Sequence, residues 1–317
     1  MKKKYKYLFG PVPSRRLGRS LGVDLVPYKT CSMDCIYCES GKTTDLTLKS
    51  REFYPTQEII QELEDFLKSK PELDFITFSG AGEPLLHSGI GDIINFIVKE
   101  FPEYKTALLT NSMLLTNNEI ANSILNIDLI VPSLDAALDD VFIKINRPVP
   151  GVKCADIIKA LSDFKLKSKA LFCLEILFIA GINDSEDSLN ALLEAVSSIK
   201  PDKVQLNTLD RPGTETGIYA LQKKDLSIIA ELFLSKGFKV EIPGRCIQLP
   251  EKSEEGELYD ILDRILALLL RRPSTLNDIS KVLKCEESIT VQKLKILESE
   301  CKIISEIKNN IKFYKIL

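Results

Sequence analysis

The run Cys31-Ser32-Met33-Asp34-Cys35-Ile36-Tyr37-Cys38 spaces three cysteines as C-x3-C-x2-C. Three thiolates on one short loop can grip three corners of a cubane iron-sulfur cluster, because soft sulfur suits such clusters. A cubane has four irons, so one iron is left without a protein ligand and stays open to a small molecule. A structural zinc is the competing reading. It would need a fourth Cys or His close by, since such sites are closed and four-coordinate. His87 is the only histidine, distant in sequence, and no cysteine follows Cys38 until Cys154.

Outward from this loop, strand-like and helix-like segments alternate from about residue 20 to 242. Period-two or short apolar runs predict strands over 21–26, 75–78, 106–109, 128–131, 170–178 and 204–207. Helical spacing predicts helices over 56–67, 90–100, 118–125, 155–164, 187–199 and 225–235. Six β–α units imply a parallel sheet, and right-handed crossovers curl it into part of a barrel. The expected fold class is therefore α/β, a partial (β/α)6 TIM-like barrel. Functional groups in such a barrel gather at the C-terminal ends of the strands. The unusual residues do fall there: the cysteines after the first strand, Gly82 and Glu83 after the second, and Thr110 and Asn111 after the third. Ser133 and Asp135 follow the fourth strand, Asn183 the fifth and Asn207 the sixth.

The chain has 317 residues, 44% hydrophobic and 27% charged, with a formal net charge of −3. That balance suits an ordinary globular protein and gives no global signal for nucleic acid or membrane. No stretch approaches the roughly 20 apolar residues of a membrane span. The basic start Met1-Lys2-Lys3-Lys4-Tyr5 has no apolar signal core behind it. Eight cysteines without a disulfide framework fit a reducing compartment, so the expected location is cytoplasmic.

A polar stretch over 251–257 reads as a boundary between a barrel at 1–250 and a small domain at 251–317. In the second part, helices are expected over 258–270, 276–283 and 287–300, with Ser274 or Thr275 as a cap. A hairpin over 303–307 and 311–315 completes a winged-helix layout. Its third helix could place Gln292, Lys293, Lys295 and Lys302 against DNA phosphates. It could equally add a peptide as a strand to the wing, or only shield the barrel. Arg15, Arg16 and Arg19 suggest a basic patch that could receive phosphates.

The C-x3-C-x2-C loop after the first strand, the Gly82-Glu83-Pro84 turn after the second and the partial barrel resemble radical S-adenosylmethionine enzymes. The resemblance covers roughly residues 10 to 245. It implies that Cys31, Cys35 and Cys38 hold a [4Fe-4S] cluster whose open iron is chelated by S-adenosyl-L-methionine. It implies reductive cleavage of that cosubstrate to a 5′-deoxyadenosyl radical, with a flavodoxin or ferredoxin as reductant. Tyr37 matches the aromatic position beside the adenine, and Gly80, Ala81, Gly82 and Glu83 match the turn that receives the methionine amino group. Ser133 and Asp135 fit ribose and carboxylate contacts, although helix capping would explain either. Asn111, Glu175, Asn183 and Asn207 are further candidates for the same pocket, and Arg147 could pair a carboxylate. His87 and Cys246 are the candidates for catalysis on the substrate side; Cys154, Cys173, Cys285 and Cys301 read as packing residues.

The segments 10–18, 133–136 and 207–212 narrow the resemblance to iron-sulfur oxidoreductases related to the wyosine-base tRNA synthases. Those synthases carry a second cluster on extra N-terminal cysteines, and no cysteine precedes Cys31 here. The substrate is left open among tRNA, a peptide or protein and a small metabolite. The competing functional class is an iron-sulfur-dependent regulator that binds DNA through the winged helix.

Overall fold

A computed structural model describes residues 5–14, 16–243, 261–283, 285–308 and 311–317. The chain begins with β1 (Leu8–Ser14), β2 (Gly18–Val23), β3 (Thr30–Cys31) and β4 (Asp45–Leu46). Next come α1 (Thr56–Leu67), β5 (Phe75–Phe78), α2 (Ile90–Glu100), β6 (Lys105–Thr110), α3 (Asn118–Ser123) and β7 (Leu129–Pro132). Then follow α4 (Asp139–Asn146), α5 (Cys154–Lys167), β8 (Leu171–Phe178), α6 (Glu186–Ile199), β9 (Lys203–Thr208), α7 (Lys223–Ser235) and β10 (Val240–Glu241). The C-terminal part holds α8 (Ile261–Arg271), β11 (Ser274–Thr275), α9 (Leu276–Leu283), α10 (Glu287–Ser299), β12 (Ile303–Lys308) and β13 (Ile311–Ile316).

Eight strands form one sheet in the order β1-β2-β5-β6-β7-β8-β9-β10. Every neighbouring pair from β2 to β10 is parallel, and β1 alone runs against its partner. This is an α/β fold with a mostly parallel sheet, consistent with a partial barrel. Ile76, Phe78, Leu108, Ile130, Phe172, Leu174 and Leu206 bury one face of the strands against the helices in the main core. Side chains of opposite parity, Ala107, Leu129, Val131 and Cys173, form a smaller cluster on the other face. Leu17 joins that cluster, so the turn between β1 and β2 folds into the barrel interior. Burying it there contributes about 2 kcal/mol.

β1 was not expected, and β2 ends at Val23 instead of running on to residue 26. Gly10, Pro11 and Pro13 disguise β1, because proline cannot donate to a ladder and is confined to edges and bulges. Here β1 is an edge strand whose register shifts between Phe9 and Val12. Beyond Val23, Pro27 lacks the N–H that a longer strand would need. Of the expected basic patch, Arg16 is taken up inside the protein by Glu175, whereas Arg19 pairs at the surface with the exposed Glu72 at 2.6 Å. Arg15 lies outside the described residues.

The C-terminal part has its own core of Ile265, Leu269, Ile279, Leu294, Leu297 and Ile303. Its three strands lie in the order β11-β13-β12, all antiparallel. Thr275 Oγ1 accepts the Asp278 N–H at 3.1 Å while Asp278 Oδ2 accepts the Thr275 N–H at 3.3 Å, a reciprocal cap for α9. Arg271 ties this part to the barrel. Its guanidinium pairs with Asp24 and lies 3.8 Å from the Phe9 ring centroid. Ser40, just past Cys38, donates to the Arg271 carbonyl at 2.9 Å. Among the described residues, no helix is long and apolar enough to cross a membrane.

Candidate active site

The loop from Lys29 to Gly41 leaves the sheet after β2 and is pinned from three sides. On the first side, the Lys29 N–H donates to Ala81 O at 2.9 Å and the Glu83 N–H donates to Thr30 O at 3.0 Å. Gly82 is required for that approach, since a Cβ there would stand 2.2 Å from Thr30 O. On the second side lies α4. It stops at Arg147, which adopts a left-handed φ of 44° ahead of Pro148. A helix end leaves carbonyls without partners. The Ile36 N–H fills Ile145 O at 2.9 Å, and the Asp34 N–H fills Asn146 O at 3.1 Å. On the third side, after β9, the Glu215 N–H donates to Ile36 O at 3.0 Å and the Thr214 hydroxyl to Cys38 O at 3.2 Å.

Cys31, Cys35 and Cys38 are free thiols in this loop. Each sulfur accepts one side-chain N–H. Asn111 Nδ2 lies 3.4 Å from Cys31 Sγ, Asn146 Nδ2 lies 3.5 Å from Cys35 Sγ, and Lys29 Nζ lies 3.0 Å from Cys38 Sγ. Burial, then the Glu83 carboxylate, pushes the Cys31 thiol up to about 12. Burial and the two neighbouring cysteines push Cys35 well above its ordinary value. Burial opposes the charge on Lys29, but the Cys38 sulfur together with Cys31 and Cys35 outweighs it and the lysine pKa rises. Without a metal these raised values keep Cys31 and Cys35 as neutral thiols, and bound iron would supply the positive charge that holds them as thiolates. Among the described residues, no three His, Cys, Asp or Glu groups converge as one bare metal ion would require. Three soft sulfur donors on one short loop are the donor type that an iron-sulfur cluster takes.

Beside the sulfurs, Glu83 is buried at 2% exposure and accepts three hydrogen bonds: Leu85 N–H at 3.0 Å, Thr110 hydroxyl at 2.7 Å and Asn111 N–H at 2.8 Å. Burial overrides these donors and raises its carboxyl to about 7. Asp135 Oδ2 accepts the Tyr37 phenol at 2.5 Å and Asn146 Nδ2 at 2.7 Å, while Oδ1 accepts the Leu177 N–H at 2.9 Å. Burial raises the Asp135 pKa, and burial together with the Asp135 charge raises that of Tyr37 well above the ordinary phenol value. Asn146 Oδ1 is buried with no partner. Glu175 is held by Arg16 and by Asn207 Nδ2 at 2.8 Å. Ser133, just past β7, makes a backbone bridge to Glu175 within β8, and its N–H donates to Thr110 O at 2.9 Å.

Tyr37, Glu83, Asn111, Ser133, Asp135, Glu175 and Asn207 thus meet the three cysteines at one rim. Gly80 belongs to the same turn as Gly82, and a Cβ on it would stand 2.2 Å from the Asp24 carboxylate that pairs with Arg271. Other candidates serve the scaffold. His87 is fully buried, taking the Gly89 N–H on Nδ1 at 3.0 Å and facing Tyr54 O at 2.9 Å through Nε2. Asn183 uses its whole amide on Asp135 O, Leu177 O and the Ile179 N–H. Arg147 pairs with Glu215 at 2.7 Å on the surface. Cys154 and Cys173 are buried in the cores, and Cys246 lies outside the described residues. Sequence reasoning missed Lys29 and Asn146. Their only signals were a lysine two residues before Cys31 and an asparagine at the helix stop before Arg147-Pro148.

The profile of the Radical SAM superfamily matches residues 25–192, which contain the cysteine loop and strands β5 to β8. The chain belongs to this superfamily. Radical SAM enzymes use a [4Fe-4S] cluster and S-adenosylmethionine, and they need a reductant. Membership makes this chain an enzyme. A UPF0026 protein of Synechocystis is 34% identical over 65% of this chain and 76% of its own length, so the chain is also of the UPF0026 group. A Brachyspira hyodysenteriae protein named GTPase Obg is 32% identical over 99% of this chain. The chain spans 46% of that protein's length, and it has no G-x-x-x-x-G-K-S/T phosphate loop, because Ile36 stands where Gly41-Lys42-Thr43 would need the first glycine. A dual-specificity RNA methyltransferase of Geotalea uraniireducens is 28% identical over 56% of this chain and 50% of its own. A radical SAM methyltransferase of Sphaerobacter thermophilus shares the fold, with a TM-score of 0.53 at 17% identity over 70% of this chain and 66% of that one.

Proposed function

We propose that this chain cleaves S-adenosylmethionine reductively to modify a substrate, with Cys31, Cys35 and Cys38 holding the [4Fe-4S] cluster. The observation that carries this reading is the convergence of the three sulfurs with Glu83 and the Tyr37–Asp135 pair at one rim of the sheet. When bound, the reduced cluster supplies the electron that splits the sulfonium into methionine and a 5′-deoxyadenosyl radical able to take a hydrogen atom. The residues supply position and charge. Glu83 and the turn over 80–83 take the cationic methionine end, and a carboxyl poised near 7 is ready to pair with an ammonium. Asp135, oriented by Tyr37, Asn146 and Leu177, presents a fixed polar wall for the ribose. Ser133, Asn111, Glu175 and Asn207 complete the pocket. A flavodoxin or ferredoxin delivers the electron, which makes the chemistry oxidoreductase-like.

Residues 1–250 form the catalytic partial barrel in this reading, and 251–317 a winged-helix module beside it. An RNA substrate is the class that the relatives favour. One relative is named as an RNA methyltransferase, the resemblance to tRNA synthases points the same way, and residues 258–317 carry 11 Lys and Arg against 8 Asp and Glu. Anaerobically reconstituted protein with dithionite should convert S-adenosylmethionine to 5′-deoxyadenosine. Absence of that product with the cluster present by Mössbauer spectroscopy rejects the reading. Replacing all three cysteines by alanine should abolish cluster and product together. Bulk tRNA should bind with an affinity that falls steeply with salt, and no binding at low salt removes the RNA assignment.

A further inference from the structure

Lys29 is an unusual lysine in three respects. It is 2% exposed, it has a left-handed φ of 57°, and its ammonium lies 3.0 Å from Cys38 Sγ. A non-glycine residue in that backbone region is uncommon and persists only when its surroundings hold it. They do so on both sides. The Lys29 N–H is tied to Ala81 O at 2.9 Å, and Lys29 O accepts the Thr44 N–H at 3.0 Å. The backbone from which the side chain leaves is therefore fixed, and the ammonium at its end meets the sulfur. A buried ammonium is costly unless paired. Its partner is the Cys38 sulfur, while the donors to Cys31 and Cys35 are the neutral amides of Asn111 and Asn146. One sulfur of the three thus carries a charged donor at a shorter distance.

We infer that Lys29 sets the reduction potential of the cluster through this charged N–H···S contact with Cys38. The inference rests on the reading that the three cysteines hold the cluster. Hydrogen bonds to the sulfurs and nearby charge are the protein's levers on cluster potential. Reduction adds one negative charge, and an adjacent ammonium favours the more negative state, so Lys29 raises the potential. It acts through the ligand and touches no reacting atom, which makes it a positioning residue. Asn111 and Asn146 add two weaker, neutral contributions of the same sign. A cluster in this protein is then reducible by a weaker donor than it would be without the lysine.

The test compares full-length wild type with Lys29→Gln and Lys29→Arg, each reconstituted anaerobically and assayed for iron and sulfide. Midpoint potentials come from EPR-monitored redox titration without S-adenosylmethionine. Lys29→Gln keeps an N–H donor but loses the charge. Its reduced-to-oxidised ratio at a fixed potential should fall about tenfold, equal to about 59 mV for one electron. Lys29→Arg should stay near wild type. Equal potentials in all three loaded proteins overturn the inference and leave the cluster assignment standing. A wild type that holds no iron and sulfide overturns both. If Lys29→Gln alone fails to load, wild type labelled with 15N-lysine decides: pulsed EPR of the reduced cluster should show a coupled 15N, and its absence overturns the contact. A cluster lost from both variants also overturns it, because the residue would then serve assembly and not potential.

Discussion

The phenol of Tyr37 donates to Asp135 Oδ2 at 2.5 Å and so joins the cysteine loop to the end of β7. Two residues 98 positions apart are thus held together by one hydrogen bond. Asp135 has two other donors, Asn146 and the Leu177 N–H, so the carboxylate is the knot of the rim. Tyr37→Phe should cost about 2 kcal/mol of apo-protein stability, as expected for one hydrogen bond to a charged group. Asp135→Ala should cost more, because it strands the Asn146 and Leu177 donors. Urea denaturation of both variants checks the order; no loss from Tyr37→Phe would show that the ring packs and its hydroxyl does not tie.

Gly82 and Gly80 separate two kinds of close approach. A methyl group on Gly82 would meet the Thr30 backbone at 2.2 Å, immediately before Cys31. Gly82→Ala should therefore displace the cysteine loop and cut iron loading severalfold. At Gly80 the obstacle is the Asp24 side chain at 2.2 Å, which is paired with Arg271 and not part of the cysteine loop, so Gly80→Ala should disturb that pair and load nearly as wild type. Iron and sulfide assays read both, and equal loading would mean that the turn yields at either position.

Glu83 predicts a pH dependence. Its carboxyl rises from 4.5 in the unfolded chain to about 7 in the fold because burial disfavours the charge. A raised carboxyl contributes stability below pH 4.5 that is lost as pH climbs through about 7. A shift of that size corresponds to about 3 kcal/mol. Glu83→Gln cannot titrate, so the stability of cluster-free wild type relative to this variant should fall by about that amount between pH 4.5 and pH 8. A flat difference across that range would show that the three hydrogen bonds to Glu83 hold it ionised.

Arg16 and Glu175 form an ion pair with side chains 18% and 15% exposed, inside the barrel mouth. Removing one partner leaves a charge that water cannot fully reach. Arg16→Met or Glu175→Gln alone should each cost about 2 kcal/mol, and the double variant less than their sum. Thermal melts of the four proteins give the coupling. Additive losses would show that Leu17 packing, and not the pair, seats the turn.

Much of the frame is legible in the order of residues. The helices over 56–67, 90–100 and 276–283 have the bounds that apolar spacing predicts. The cysteine spacing, the Gly82-Glu83 turn and the positions after each strand end are local facts, and a parallel barrel brings strand ends together whatever the loops contain. β1 escaped because its prolines and glycine oppose a strand everywhere except at an edge. The helix α4 escaped because only Val141, Phe142 and Ile145 mark its apolar side, too few for a clear period.

Sequence alone determined the chemistry on offer: three soft donors at fixed spacing, a carboxylate on a tight turn and a β–α alternation to carry them. Tertiary structure alone decided which groups surround those donors. Asn146 reaches Cys35 across 111 residues, and Lys29 turns back on Cys38 through a left-handed backbone. Periodicity encodes which face a side chain takes, a property of neighbours in the chain. Contact between distant loops follows instead from how helix ends, glycine approaches and buried charges are satisfied together, and that is settled only when the whole sheet and its helices have packed.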